Sequence, residues 1–279
     1  MKSLFPYLQY FLPKHALSVC AGKLAQTRVP ALKNTLIEKF IRSYGVNMKE
    51  ALIEDPTYYE NFNAFFIRHL KPALRPIAPE QESIASPVDG TIAEIGRIHQ
   101  DNRLLQAKGF YYDLTSLLGG DTALAALFKG GDFATFYLAP HNYHRVHMPL
   151  AGELKQSLFV PGRLFSVNHM TSQMIPQLYS RNERLITLFD TAAGPMALIF
   201  VGALIVGSIQ TTWMDQPCRS NKIQYYQHDR LSLAKGAEVG YFRLGSTVIA
   251  LFAKDRVSWG HDHKAGSIVN FGQKIGSAR

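Results

Sequence analysis

Leu244-Gly245-Ser246-Thr247-Val248-Ile249-Ala250-Leu251-Phe252 is the stretch on which the reading of this chain turns. The apolar run after Ser246 is too short for a helix of ordinary length and is rich in β-branched and aromatic residues, so it predicts a buried strand over Thr247–Phe252. A second run ends just before it and predicts a strand over Glu238–Leu244. Ser246 therefore sits between two strands. A conventional serine hydrolase instead presents its nucleophile on a Gly-x-Ser-x-Gly elbow between strand and helix. Gly245 has no side chain to shield its carbonyl and tolerates strained dihedrals. That geometry favours attack by the serine on its own preceding peptide bond.

Working outward, short apolar runs between turn residues predict further strands over Thr91–Ile95, Leu104–Ala107, Phe133–Leu138, Arg145–Met148 and Glu153–Val160. The same pattern continues over Arg184–Phe189, Met196–Val201 and Ala203–Ile209, the last two meeting at Gly202. Short helices are expected within Leu114–Leu118 and Thr122–Phe128. The first third reads differently. Leu32, Leu36, Ile37, Phe40 and Ile41 recur at helical spacing, and a second helix is expected from about Asn61, carrying Phe62, Phe65, Phe66 and Leu70 until Pro72 and Pro76 stop it. The basic residues of Phe65–Pro76 read as the solvated end of that helix. The class is α+β: an N-terminal helical membrane-associating region, residues 1–80, followed by a β-rich catalytic core, residues 81–279.

The 279 residues, 47% hydrophobic and 18% charged, suit an ordinary folded protein with a sizeable core. Cys20 and Cys218 are the only cysteines, too few for a disulfide framework or a zinc site. Much of the +9 net charge lies in residues 1–45, where Lys2, Lys14, Lys23, Arg28, Lys33, Lys39 and Arg42 face only Glu38. Leu4, Phe5, Tyr7, Leu8, Tyr10, Phe11, Leu12, Leu17 and Leu24 are interleaved with them. Such a mixture fits an anionic membrane surface. A nucleic-acid partner is not expected, since no helix-turn-helix, zinc-finger or RNP pattern accompanies the charge. The uncharged run 195–207 is too short to span a bilayer, and Pro6, Gln9 and Pro13 interrupt any signal-peptide core. The expectation is a peripheral protein on the cytoplasmic side of the cell membrane.

Two upstream motifs supply the groups that a reacting serine needs. In Ser86-Pro87-Val88-Asp89-Gly90 the proline fixes the backbone and the glycine permits a tight turn, which puts Asp89 at a loop tip before a strand. In Tyr143-His144-Arg145-Val146-His147-Met148-Pro149 the two histidines would face opposite sides if the segment is extended and one side if it is helical. Neutral imidazole is the usual base near neutral pH, and a carboxylate can take its other N–H. Asp89, His147 and Ser246 can thus form a triad. Metal ligation by His144 and His147 is the competing reading, but no carboxylate or cysteine follows at a ligand spacing and no metal is expected.

In this order these motifs resemble phosphatidylserine decarboxylase of the bacterial and mitochondrial type. The resemblance runs from about Phe65 to Phe252. It takes in Pro161–His169, Arg181–Arg184, Val201–Ile209 and Lys235–Phe252, with Leu-Gly-Ser where other members have Gly-Gly-Ser. It implies self-cleavage between Gly245 and Ser246 by Asp89, His147 and Ser246, giving a β chain of residues 1–245 and an α chain of residues 246–279. The two chains would remain together as a heterodimer, with a dimer of these as a further expectation. The resemblance further implies that Ser246 becomes a covalent pyruvoyl group (pyruvate as cofactor), an electron sink like pyridoxal phosphate. It assigns His144 to the decarboxylation step, with phosphatidylserine in the membrane as substrate and phosphatidylethanolamine as product. The alternatives are a membrane-associated serine esterase or lipase using Asp89-His147-Ser246, and a non-enzymatic lipid-binding module.

Overall fold

The computed structural model describes residues 5–107, 109–204, 208–217, 220–243 and 246–279. Leu244, Gly245 and Cys218, named above, lie outside the described residues. The apolar run after Ser246 is a strand, Ser246–Phe252, buried at every position. Its pairing explains why it reads as continuous rather than alternating. It lies between Gly194–Val201 and Asp132–Leu138 in an eight-stranded antiparallel sheet, with Ile249 opposite both Ile199 and Thr135, so both of its edges and both of its faces are covered. From edge to edge the sheet runs Gln224–Leu233, Gly152–Val160, Arg184–Thr191, Gly194–Val201, Ser246–Phe252, Asp132–Leu138, Gly90–Arg97 and Ile268–Val269. A three-stranded sheet of Ile209–Thr211, Glu238–Phe242 and Arg145–His147 carries the histidine motif, and another joins Ser83–Ala85, Lys274–Ala278 and Val257–Trp259.

Helices α1 (Phe5–Leu8), α2 (Lys14–Ala25), α3 (Pro30–Tyr44) and α4 (Phe62–Phe66) occupy the N-terminal part. In α3 a proline sits at the first helical position and Gly45, at φ 65°, ends the helix in the left-handed conformation a side chain would resist. Asn61 caps α4, its Oδ1 accepting the Ala64 N–H at 2.9 Å. Here the structure corrects an expectation: α4 ends at Phe66, well before Pro72. Leu52 N–H donates to the His69 carbonyl and Lys71 N–H to the Glu50 carbonyl, which draws the chain out along residues 50–52 and puts Leu70 in a bridge with Ala51.

The apolar residues form two clusters. One gathers Ala25, Ile37, Val46, Tyr59, Phe62, Phe65 and Phe66; the other spans Ile84 to Ile275 and fills the sheets. The expected strand Ala203–Ile209 is not found as such. Ala203 and Leu204 belong to no strand, residues 205–207 are outside the described residues, and the strand that follows is Ile209–Thr211. The Gly202 N–H instead donates to the Glu183 carbonyl, and a Cβ there would lie 3.2 Å from that oxygen, so the chain leaves the sheet at Gly202.

Candidate active site

Strand register delivers two of the expected groups to one end of the large sheet. Thr91 lies opposite Tyr137, and Tyr137 opposite Thr247, so Asp89 and Ser246 stand just where their strands begin, on either side of the Asp132–Leu138 strand. Gly90 makes this fit possible: a Cβ there would sit 2.5 Å from the Tyr137 carbonyl oxygen. The histidines arrive on the smaller sheet, with His147 opposite Glu238. The Phe242 N–H donates to the His144 carbonyl at 3.2 Å, four residues ahead of Ser246, and the His147 N–H donates to the Pro87 carbonyl at 2.9 Å, two residues ahead of Asp89. Main-chain hydrogen bonds thus tie all three motifs together.

The side chains are held in different ways. Asp89 is buried and fully engaged: Arg75 Nε donates to Oδ1 at 3.0 Å, Arg75 Nη2 to Oδ2 at 2.7 Å, and the Phe271 N–H to Oδ1 at 2.8 Å. Arg75 Nη2 also donates to Glu50 at 2.7 Å. The hydrogen bonds to Asp89 raise the Arg75 pKa further above its ordinary value. The basic residues of this segment are therefore not the solvated helix end expected from sequence. Arg75 is paired, Arg68 is buried, and Lys71, partly exposed, pairs with Glu54.

His147 is also buried, and both of its nitrogens are occupied. Nδ1 donates to the Gly236 carbonyl at 2.9 Å, which leaves Nε2 as the acceptor for the Tyr143 hydroxyl at 3.1 Å. Its ring lies 3.7 Å from that of Phe271, nearly parallel. Burial pushes its pKa down to about 4, with Arg145 and His69 adding to the effect and the Gly236 carbonyl opposing it. Asp89 makes no hydrogen bond to this imidazole. It acts at one remove, by fixing the backbone of the residue whose ring stacks on it.

His144 contrasts with its neighbour. The ring is completely buried, edge-on to Phe66 at 4.1 Å, and neither nitrogen has a hydrogen-bond partner. Burial holds its pKa well below the ordinary value, and the nearby Arg68 charge adds to this. Ser246 Oγ is buried and likewise without a partner, so it is bonded to neither imidazole. Among the described residues no group of three or more His, Cys, Asp or Glu side chains is gathered to hold a metal ion.

Sequence reasoning missed Arg68, Arg75, Tyr143 and Phe271. Tyr143 stood inside the quoted motif and the two arginines inside a stretch set aside as solvated, whereas nothing local marks Phe271. A cavity of about 220 Å³ opens nearby, lined by Gly22 and Lys23 of α2, Asn63 of α4, and Ser208 and Arg243 on the approach to Ser246. Lys23 and Arg243 make no ion pair among the described residues.

A buried serine heads a central strand, and His147, with His144 just ahead of it, lies on the strand paired with the one that precedes that serine, so the hydroxyl is built into the sheet rather than displayed on an elbow. Comparison with known proteins makes this specific. A family model described as phosphatidylserine decarboxylase matches residues 62–277, and one described as PSD matches residues 4–45. The chain is 52% identical to a phosphatidylserine decarboxylase proenzyme of Azotobacter vinelandii, covering 99% of this chain and 98% of that one. It is 50% identical to proteins of the same description from Pseudomonas fluorescens (99% and 97% covered) and Marinobacter nauticus (99% and 98% covered). The chain belongs to the phosphatidylserine decarboxylase family.

Proposed function

We propose that this protein severs its own chain between Gly245 and Ser246 and then converts phosphatidylserine to phosphatidylethanolamine and CO₂ at a membrane surface. The observation that carries the reading is the setting of Ser246: a buried, unpartnered hydroxyl at the head of a central strand, in a chain matched along nearly its whole length by proenzymes of that description.

Each residue then has a task. The Gly236 carbonyl fixes the His147 tautomer with Nε2 bare, the state a base requires. Once Nε2 exchanges the Tyr143 hydroxyl for Ser246, it takes the serine proton. Oγ attacks the Gly245 carbonyl carbon, an ester replaces the peptide bond, and elimination of the ester leaves dehydroalanine at residue 246. Water converts that to a pyruvoyl end with loss of ammonia. Asp89, itself held by Arg75, positions His147 for this step through Phe271. The fit to a pyruvoyl group rests on Ser246 itself: its Oγ is enclosed, with no other hydrogen-bonding duty to give up. When present, that group supplies an electron-accepting carbonyl to which the substrate amine couples during loss of CO₂. His144, neutral and unpartnered, is placed to hold the proton that the substrate carbon receives.

Residues 1–80 serve as the membrane-facing part, with the enzyme peripheral on the cytoplasmic side. Phe11 is 86% exposed, and Tyr7, Leu8, Val19, Leu24 and Val29 are all exposed beside Lys23 and Arg28. No helix of the described residues is long and apolar enough to cross a membrane. Lys14 and Lys33 do not contribute to this face. Lys14 is buried under the Phe165 ring with its pKa lowered by burial, and Lys33 donates to the Thr57 carbonyl at 2.8 Å. The test is CO₂ release from phosphatidylserine vesicles: the wild type releases it, and Ser246→Ala releases none and stays a single chain. An uncleaved wild-type chain that hydrolyses esters would overturn the reading in favour of an esterase.

A further inference from the structure

Arg68, Arg145 and Arg184 are buried and Arg75 is partly so, and all but Arg68 are met by carboxylates or by several carbonyls. Arg75 meets Asp89 and Glu50. Arg145 meets Glu238 at 2.7 Å and donates Nε to the Ile67 carbonyl. Arg184 aims Nε, Nη1 and Nη2 at the carbonyls of Leu117, Asn182 and Ser116, all within 2.8 Å. Arg68 is the exception. It is 4% exposed, and Nη2 donates to the His141 carbonyl at 2.9 Å, but Nε and Nη1 have no partner and no carboxylate pairs with it among the described residues. The Phe65 ring face lies 5.5 Å from the guanidinium, but a guanidinium cannot shed its proton, so a buried one with open N–H donors and no bonded carboxylate is costly. It persists where a ligand completes it.

Its surroundings say which ligand. Arg68 follows α4, whose Phe66 ring abuts His144, and it is bonded to the loop that runs into His144. Its charge is close enough to the unpartnered imidazole to help hold that ring neutral. We infer that Arg68 grips the phosphodiester of the lipid headgroup through its open guanidinium nitrogens; this rests on the decarboxylase reading above. With Nη2 held by the His141 carbonyl, the open donors on Nε and Nη1 lie on different edges of the guanidinium, and each offers a charge-assisted hydrogen bond of the kind phosphate oxygens accept. The substrate carboxylate is the other candidate anion, but its charge leaves during reaction, and a donor holding it would stabilise the ground state more than the transition state. The phosphodiester keeps its charge throughout, so its grip contributes binding rather than rate.

The experiment uses the self-cleaved enzyme with short-chain phosphatidylserine as substrate and short-chain phosphatidylethanolamine as competing product. Arg68→Gln raises KM about 30-fold or more with kcat within about threefold, and weakens inhibition by phosphatidylethanolamine by the same factor; Arg68→Lys recovers part of both. If inhibition by phosphatidylethanolamine, which has no carboxylate, is unchanged while substrate binding weakens, Arg68 holds the carboxylate and the assignment is wrong. A fall in kcat alone overturns it too. Should Arg68→Gln fail to self-cleave, the wild type decides: short-chain phosphatidylethanol, with the phosphodiester but neither amine nor carboxylate, must compete with substrate, and no competition refutes the assignment. A wild type that releases no CO₂ would instead count against the decarboxylase reading.

Discussion

The surroundings of His147 and His144 set two buried imidazoles, three residues apart, in opposite conditions. Around His147 every polar group is satisfied: Gly236, Tyr143, Phe271, Asp89 and Arg75 form a connected set of hydrogen bonds and ring contacts. His144 is the reverse: both its ring nitrogens are open, as are two nitrogens of Arg68, whose charge acts on it. Burying unsatisfied polar groups is costly, so such a pair suits a place where a ligand completes the set. The closed arrangement suits a group that must act once, in a fixed orientation, on the chain itself. The open one suits a group that meets a new substrate at every turnover.

Removing His147 should have the largest effect. His147→Ala is expected to slow self-cleavage by about 10⁴-fold or more, followed as the appearance of two chains on a denaturing gel. Full-rate cleavage in that variant would break the assignment of the closed side. His144→Ala should leave cleavage intact while CO₂ release falls about 10²–10⁴-fold, which separates the two histidines in a single pair of assays. If His144→Ala blocks cleavage instead, the two sides are not distinct.

Stability sharpens the contrast further. Asp89→Asn removes the buried carboxylate that Arg75 holds by three hydrogen bonds and leaves Arg75 with Glu50 alone, which is expected to cost about 1.5–3 kcal/mol in urea unfolding of the uncleaved Ser246→Ala background. The double variant Arg75→Gln/Asp89→Asn should regain part of that, and strict additivity would show that the pair is not coupled.

pH gives a further test of the closed side. The folded His147 pKa of about 4 lies below the ordinary 6.5, so the folded state binds fewer protons than the unfolded state between those values. Its contribution to stability is full above pH 6.5 and is lost as pH falls toward 4, about 3 kcal/mol in all. The rate of self-cleavage should accordingly show no titration near pH 6.5. A rate that halves at that pH would mean the base is a solvent-exposed imidazole.

Much of this was legible in sequence because the core strands are buried on both sides and so read as unbroken apolar runs, as in Met196–Val201 and Val248–Phe252. The Gln224–Leu233 strand was not, since it is a sheet edge whose residues Gln224, Tyr225, Gln227 and Asp229 face solvent. Ile268–Val269 escaped for the same reason, as a two-residue edge. The candidate set was proposed from residue types alone, and its surroundings were not visible there: Asp89 is braced by Arg75 and Phe271, which are 14 and 182 residues away in sequence. The N-terminal helices carry a further lesson. Deleting residues 1–45 to test anchoring would remove Ala25 and Ile37 from the cluster that covers Phe65 and Phe66, so exposed Phe11 is the better target.

The most direct test of the whole account is the intact mass of the purified wild-type protein, measured alongside its CO₂ release. Two polypeptides are expected, residues 1–245 and residues 246–279, the shorter one carrying a pyruvoyl group in place of an N-terminal serine. A preparation that releases CO₂ from phosphatidylserine yet shows only the full 279-residue chain would contradict it.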